Sequence, residues 1–389
     1  MILLAISGSA RLGWIDYGIF VLCLFATLGI GFFFSKGQKD TKQYLLGGRS
    51  MKSFVVSIAV LASIFSGVSY LGFPAEAYAY GMGYSLLAFS SFITTPVINA
   101  VFMPFFYRVK LYSAYQYLES RFTIGLRTLI AIIFICRTLL WMAVVVYAPS
   151  LALEQVTGFP LWIMILSMGI VTTIYTTLGG MKAVIWSNVL QFVVLMGGLI
   201  AVVIVAVLNM PEGIQGVISE AQQAGRLSFN FSWDPTIRVT VWGIVIGGTV
   251  HNLVLLATDQ VSIQRYMTSK NLKTAKKAMW IKAFWWVPCA FFFYFAGLVL
   301  FSFYSKSGQD PLSSGLIINA DQILPYFVVN EMPAGFAGLL IAAIVAASMS
   351  SMSSGVNSVT TVSLVDLYEN YTSKALSEER KVNFSRLMT

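Results

Sequence analysis

The sequence predicts an all-α protein that crosses a membrane many times. Of its 389 residues, 57% are hydrophobic and only 11% are charged, whereas soluble domains contain about 25% charged residues. The mean hydropathy is +0.78 over the whole length. In lipid each spanning segment must satisfy its own backbone hydrogen bonds. The alternating ten-residue pattern of barrel strands is absent from the sequence, so helices are expected.

Nine apolar segments are long enough to span a bilayer. We therefore interpret residues 1–389 as one transmembrane domain, and we expect no separate soluble domain. The predicted spans are 14–34, 53–78, 82–106, 128–153, 160–178, 184–208, 237–257, 280–304 and 334–364.

Basic residues alternate along the loops between these segments. The first, third, fifth and seventh loops and the tail are basic, and the loops between them carry mostly acids. Because basic loops stay in the cytoplasm, we expect the N-terminus outside and the first loop inside, in a plasma or bacterial inner membrane. The same loops explain the net charge of +9 without nucleic acid. Their basic residues are Lys36, Lys39, Lys42, Arg49, Lys52, Arg108, Lys110, Arg121, Arg127, Lys182, Arg265, Lys270, Lys273, Lys276, Lys277, Lys374, Arg380, Lys381 and Arg386.

The second span is interrupted at its centre by small polar residues and helix breakers. These are Ser63, Ser66, Gly67, Ser69, Gly72 and Pro74. Such a sequence permits an unwound stretch, and the freed carbonyl groups of that stretch can bind a cation if they line a cavity. The alternative interpretation is close helix packing through small residues.

The ninth span is rich in hydroxyl groups. Its polar residues are Ser348, Ser350, Ser351, Ser353, Ser354, Asn357 and Ser358. Ser350, Ser354 and Asn357 share one helix face. Neutral oxygens suit a monovalent cation, whereas a divalent ion would require carboxylates, which this stretch lacks. The second and ninth spans together therefore predict one cation site.

Five stretches resemble the sodium:solute symporter family. They are SAYQYLESRF (113–122), VVYAPSLALEQVTGF (145–159), TLGGMKAVIWSNVLQF (177–192), DQVSIQRYMTSKNLKTAKKA (259–278) and the serine-rich ninth span. The resemblance is to the branch that carries monocarboxylates, vitamins and iodide, and also to bacterial sialic acid symporters. It implies sodium-coupled import of a small organic solute, an anion of these kinds, by alternating access.

The resemblance also implies a leucine-transporter-type core, in which one extra helix precedes two inverted repeats of five helices. Spans two to six would form the first repeat, and spans seven to nine would begin the second. The chain stops before the second repeat is complete, so we expect it to be truncated at its C-terminus.

The family's cation sites carry over to this sequence residue by residue. The sodium site maps to Ala62, Phe65, Ala347, Ser350 and Ser351. A possible second cation site maps to Ser353, Ser354 and Asn188. The family members that have this second site place an acid where this chain has Asn188. The missing counter-charge predicts one tightly held sodium ion per cycle.

Solute-lining candidates lie on the second and fourth spans and at the end of the seventh. They are Ser66, Ser69, Tyr70, Arg137, Tyr147, Asp259 and Gln260. Arg137 can clamp a carboxylate, or it can extend to the cytoplasmic surface as long basic side chains do. The single histidine, His251, is a proton-relay candidate or a packing residue.

The sequence favours a transporter over an enzyme. It contains no phosphate-binding G-x-x-x-x-G-K-[ST] loop and no cluster of metal-ligating residues. We expect Na⁺ as the coupling ion and the only metal, and no organic cofactor. The expected partners are the solute, sodium and the bilayer, with no nucleic acid and no obligate protein partner. The alternatives are a proton-coupled carrier of the same fold, a channel or a transporter-like membrane sensor.

Overall fold

The computed structural model describes residues 13–38, 40–109, 111–158, 160–372 and 377–389. Within these ranges the regular structure is helical, apart from one isolated bridge between Met51 and Ser269. The all-α prediction is confirmed. Lys39, Lys110 and Lys374 of the basic loops, and residues 1–12 of the predicted domain, lie outside the described residues.

Seventeen α-helices follow one another along the described chain. They are α1 (Trp14–Ser35), α2 (Thr41–Leu46), α3 (Ser53–Ile64), α4 (Gly67–Tyr80), α5 (Ser90–Val97), α6 (Met103–Val109), α7 (Gln116–Arg121), α8 (Ile124–Thr157), α9 (Leu161–Leu208), α10 (Gly213–Gln223), α11 (Val241–Ala257), α12 (Gln260–Met267), α13 (Leu272–Ser307), α14 (Ile323–Glu331), α15 (Phe336–Val362), α16 (Glu369–Tyr371) and α17 (Glu378–Met388). Tighter 3₁₀ turns cover Gly47–Arg49, Met82–Phe89 and Ala320–Gln322, and π turns cover Ile98–Phe102 and Ser363–Tyr368.

Six helical stretches in the described residues are long and apolar enough to cross a membrane. Two further pairs qualify together although each is sharply bent, α3 with α4 by 67° and α11 with α12 by 62°. Helix α9 has 48 residues and would be about 72 Å long if straight, more than twice the bilayer core. It leaves helical geometry at Gly180, where φ is 55° and ψ is −152°. The fifth and sixth predicted spans lie on either side of this break.

Helix α15 is the most enclosed element of the bundle. Its most apolar stretch is 83% buried, whereas that of α1 is 11% buried. It packs against α1, α3, α4, α8 and α9. The serine-rich face of α15 is therefore covered by other helices and not by lipid, as polar groups at membrane depth require.

Gly67 allows the start of α4 to approach α15. A Cβ atom at this position would lie 2.1 Å from Ser348 Oγ and 2.6 Å from Pro149 Cγ on α8. Any larger residue would push α4 away from both helices. The glycine in the interrupted second span is therefore required for helix packing.

Asp16 joins the first helix to the start of α15. Its Oδ1 accepts backbone N–H groups of Gly335 at 2.8 Å and Gly338 at 2.7 Å, and its Oδ2 accepts the N–H of Gly13 at 2.9 Å. A carboxylate at a helix N-terminus satisfies N–H groups that lack partners within the helix. A Cβ on Gly338 would lie 2.3 Å from the Asp16 carbonyl oxygen, and one on Gly31 would lie 2.6 Å from Tyr175 Cα. Helix α1 thus contacts α15 and α9 almost backbone to backbone.

Glu378 connects the last described helix, α17, to Thr41 at the start of α2. Its Oε2 accepts Thr41 N–H at 2.9 Å and the Thr41 hydroxyl at 2.7 Å. These hydrogen bonds to Thr41 hold the pKa of Glu378 below its usual value. The contact therefore stabilises the folded state above the unfolded-state pKa, and this contribution is lost as the pH falls through the depressed pKa.

Replacing Asp16 should loosen the contact between α1 and the start of α15. Asp16→Ala removes the acceptor of three backbone N–H groups and should lower the free energy of unfolding by about 2–4 kcal/mol. Asp16→Asn is the matched control, because its amide oxygen can still accept, and it should cost clearly less. Thermal unfolding of the purified protein in detergent measures both. Equal losses for the two variants would show that the hydrogen bonds to α15 are unimportant.

Candidate functional site

The second span is broken between α3 and α4. Phe65 ends α3 with φ −78° and ψ 77°. Ser66 then begins α4, and its Oγ accepts the Ser69 N–H at 3.3 Å. Serine is a preferred residue at a helix start for this reason. Ser69 Oγ lies 3.1 Å from Ile64 O and 3.0 Å from Ser66 O, so the two predicted solute-lining serines stabilise the break itself.

Ser350 connects this break to α15. Its Oγ lies 2.9 Å from the carbonyl oxygen of Ala62 and 2.9 Å from that of Ala347. A hydroxyl has one proton and two lone pairs, so it can donate to only one of these carbonyls at a time. The structure therefore brings three of the five predicted sodium ligands together.

The other two predicted ligands are buried beside them. Ser351 is 7% exposed, and its hydroxyl has no hydrogen-bond partner in the described part of the chain. Phe65 is fully buried, and its ring stacks on Phe293 at 4.6 Å and lies 5.0 Å from Trp286. This aromatic wall lowers the local dielectric and so strengthens ion–oxygen attraction.

We call Ala62, Phe65, Ala347, Ser350 and Ser351 the oxygen cluster. Its available groups are carbonyl and hydroxyl oxygens, which suit a hard cation of low charge. Among the described residues, no group of three His, Cys, Asp or Glu side chains could hold a metal ion. The chemistry of the cluster therefore fits a monovalent cation carried as cargo.

The residues of the possible second cation site also lie together. Ser353 Oγ and Ser354 Oγ donate to the Ser350 carbonyl at 3.1 and 2.5 Å. Asn188 Nδ2 lies 3.4 Å from Ser354 Oγ, and Asn188 Oδ1 has no partner among the described residues although the side chain is fully buried. Tyr175 donates its hydroxyl to Met349 O at 3.3 Å nearby. The group is polar and enclosed, but none of these side chains carries a negative carboxylate.

The remaining solute candidates are dispersed. Tyr70 is fully buried and donates its hydroxyl to Leu195 O at 3.1 Å. Tyr147 is half exposed and lines a surface hollow with Met142 and Met352. Gln260 is fully buried, and both ends of its amide bind the backbone of the loop before α7, at Tyr112 O and Ala114 N, each at 2.9 Å. Gln260 therefore holds a loop in place.

Arg137 and Asp259, two separate candidates from the sequence, form an ion pair. Asp259 is 9% exposed and begins α12, where its Oδ1 accepts the Val261 N–H at 2.8 Å. The Arg137 side chain is 54% exposed. The pair therefore stabilises the second broken helix. His251 is exposed on α11, so its side chain does not point into the buried polar region.

The Arg137–Asp259 pair should show energetic coupling. In a double-mutant cycle of Arg137→Gln and Asp259→Asn, we expect a coupling of about 1 kcal/mol, kept small by the exposure of Arg137. Unfolding in mixed detergent micelles measures it. Arg137→Lys retains the charge and should leave solute affinity unchanged. Strictly additive single losses, or weaker solute binding by Arg137→Lys, would favour the carboxylate clamp instead.

Sequence reasoning missed three buried polar groups. Gln264 Nε2 lies within 2.8 Å of Leu45 O, Asn357 Oδ1 and Thr361 Oγ1, which ties α12 to the polar face of α15. Arg127 donates to Asp366 Oδ1 at 2.7 Å near the end of α15. Lys282 is fully buried within α13. Its position inside an apolar span was the signal that could have revealed it.

Three comparisons place these features among known proteins. The model of the sodium:solute symporter family matches residues 44–389. Sodium-coupled monocarboxylate transporter 1 of Mus musculus is 37% identical over 343 residues, which are 86% of this chain and 55% of that protein. The sodium/iodide cotransporter of Homo sapiens is 36% identical over 341 residues, 86% of this chain and 52% of that protein.

A solved structure is also similar. It is the substrate-bound, outward-open state of a Na⁺-coupled sialic acid symporter, with a TM-score of 0.90 and 30% sequence identity. The alignment covers 97% of this chain and 79% of that one. This likeness confirms the leucine-transporter-type fold class that the resemblance implied.

The bundle with its two broken helices defines a polytopic membrane protein, and the relatives it resembles are sodium-coupled transporters. The chain belongs to the sodium:solute symporter family. It spans about half the length of the curated relatives it matches.

Proposed function

We propose that this chain forms the transmembrane core of a sodium-coupled symporter that imports a small organic anion by alternating access. The observation that carries the proposal is Ser350 Oγ at 2.9 Å from Ala62 O, where a hydroxyl of α15 meets the broken end of α3. The relatives are named for monocarboxylates, iodide and sialic acid. These solutes are all anions, and we propose that the solute of this chain is an anion as well.

Sodium would bind in the oxygen cluster. The ligands would be the carbonyls of Ala62, Phe65 and Ala347 and the hydroxyls of Ser350 and Ser351. An ion held by oxygens of both α3 and α15 stabilises the arrangement that joins them, and so shifts the population toward the state that binds solute. One sodium ion crossing 100 mV supplies about 2.3 kcal/mol, or roughly a fifty-fold solute gradient.

The proposed topology has nine crossings in the plasma or inner membrane, with the N-terminus outside and the first loop cytoplasmic. It is supported by the alternation of basic and acidic loops and by the Gly180 break, which divides α9 into two lengths that each fit a bilayer. The proposed ligands are the solute and sodium, with the lipid bilayer around the bundle. No obligate protein partner is proposed.

Removing the two cluster hydroxyls should strongly weaken sodium binding. In Ser350→Ala/Ser351→Ala, two of five proposed ligands are lost, and the apparent sodium affinity should fall by at least about tenfold. Ser348→Ala is the matched control, because Ser348 Oγ donates to Ile344 O of its own helix at 3.2 Å. Uptake of labelled propionate, iodide and sialic acid into proteoliposomes, under sodium or potassium gradients, measures the effect.

Stabilisation by sodium in detergent provides a second measurement that needs no solute. Wild type and Ser348→Ala should gain thermal stability when sodium replaces potassium, whereas the double variant should not. Uptake driven by a pH gradient and unaffected by sodium or by the serine substitutions would reject the oxygen cluster. That result would support a proton-coupled carrier of the same fold.

Asn188→Asp should create a second sodium site. The carboxylate would supply the missing counter-charge beside Ser353 and Ser354, so the Hill coefficient for sodium should rise from about one toward two. Asn188→Ser, which restores no charge, is the control. Sodium-dependent initial uptake rates measure both coefficients. A wild-type coefficient near two would contradict the prediction that one sodium ion is coupled to each solute molecule.

A further inference from the structure

Lys282 is a buried positive charge without a counter-ion. It lies ten residues into α13 and its side chain is fully buried. Among the described residues, no carboxylate forms an ion pair with it. An unpaired buried charge is costly, and an ionisable residue at membrane depth indicates a functional role.

Lys282 and its neighbour Trp286 carry hydrogen-bond donors that the described residues leave unsatisfied. Its Nζ donates to Ser91 Oγ at 3.0 Å, and an ammonium group has three protons to donate. Trp286 lies one turn further along the same helix, with its ring centroid 5.6 Å from Nζ. The Trp286 indole N–H is buried and has no acceptor in the described part of the chain. A ligand that satisfies these groups must accept hydrogen bonds and carry negative charge.

Lys282 is also close to the oxygen cluster. The Trp286 ring that it approaches lies 5.0 Å from the ring of Phe65, at the end of α3. Ser91 lies on α5, and the neighbouring Ser90 accepts a hydrogen bond from Asn252 of α11 at 2.7 Å. Polar groups of α5, α11 and α13 thus lie next to the break between α3 and α4. A solute bound there would be close to sodium in the oxygen cluster.

Lys282 differs from Arg137 in the two properties that matter for binding an anion. Arg137 is more than half exposed and already paired with Asp259. Lys282 is buried, donates to the neutral Ser91 hydroxyl and forms no ion pair with any described carboxylate. A negative solute group would therefore be attracted far more strongly to Lys282, because its charge is neither screened by solvent nor neutralised.

We propose that the Lys282 ammonium group binds the negative charge of the transported solute, with Ser91 and the Trp286 indole N–H completing the site. The solute class is a small monovalent organic carboxylate, and a halide of the same charge is the other occupant that the test separates from it. This inference rests on the proposed function, since it assigns the solute of the same transport site.

The test measures binding of labelled propionate, iodide and sialic acid to the purified chain in detergent, with sodium or with potassium. Lys282→Gln should weaken binding of the recognised anion by about tenfold to a hundredfold. Lys277→Gln on the exposed part of the same helix is the matched control for net charge and should bind normally. Lys282→Arg keeps the charge and should lose less affinity than Lys282→Gln. Binding of propionate alone identifies a carboxylate site, and binding of iodide alone identifies a halide site.

Competition against the wild type needs no variant to fold. Unlabelled propionamide, the neutral counterpart of propionate, should compete at least tenfold less well than propionate, or, at a halide site, should not displace iodide. The inference is overturned by equal competition, by wild-type affinity in Lys282→Gln, or by no anion binding to the wild type. Anion binding that is lost in Lys282→Gln but indifferent to sodium supports the Lys282 site and rejects symport. Sodium-stimulated binding that is retained in Lys282→Gln rejects the Lys282 site and supports symport.

Discussion

The break between α3 and α4 depends on hydrogen-bond partners that lipid cannot provide. Every backbone group freed at membrane depth must find a protein partner, and three serines supply them here. Ser66 and Ser69 bind the local backbone, and Ser350 reaches Ala62 from α15. The polar residues of the second and ninth spans therefore serve the same need, which is to satisfy the backbone at the break. The oxygens that satisfy it are also the ones that could bind an ion.

This solution requires α15 to be enclosed. Its hydroxyl face would be expensive in hydrocarbon, so α1, α3, α4, α8 and α9 cover it. Close approach is achieved with glycines, because a side chain at Gly67 would collide with Ser348 and Pro149. Because the α15 face is buried, each polar group beside it interacts strongly with an ion. The amide of Asn188, in place of an acid, therefore changes the number of sodium ions that we expect to bind.

The sequence predicts the elements of this site better than their connections. The unusual polarity of the second and ninth spans is visible in the sequence, and so is the motif position of Asn188. Each of these signals lies within a single segment of the chain. The pairing of Arg137 with Asp259 joins residues 122 positions apart, so no periodicity reveals it. The Gly180 break depends on backbone angles, which hydropathy does not report. The sequence shows Lys282 as a charge in an apolar span, but only the three-dimensional structure shows that no described carboxylate pairs with it.

The contact between Asp16 and the start of α15 has a practical consequence. Three backbone N–H groups share one carboxylate, and glycines let the two helices touch. We therefore expect α1 and the N-terminal end of α15 to move as one rigid unit. Trp14, two residues before Asp16, is 92% exposed, so a spin label at this position would follow α15 from outside the bundle without entering the oxygen cluster.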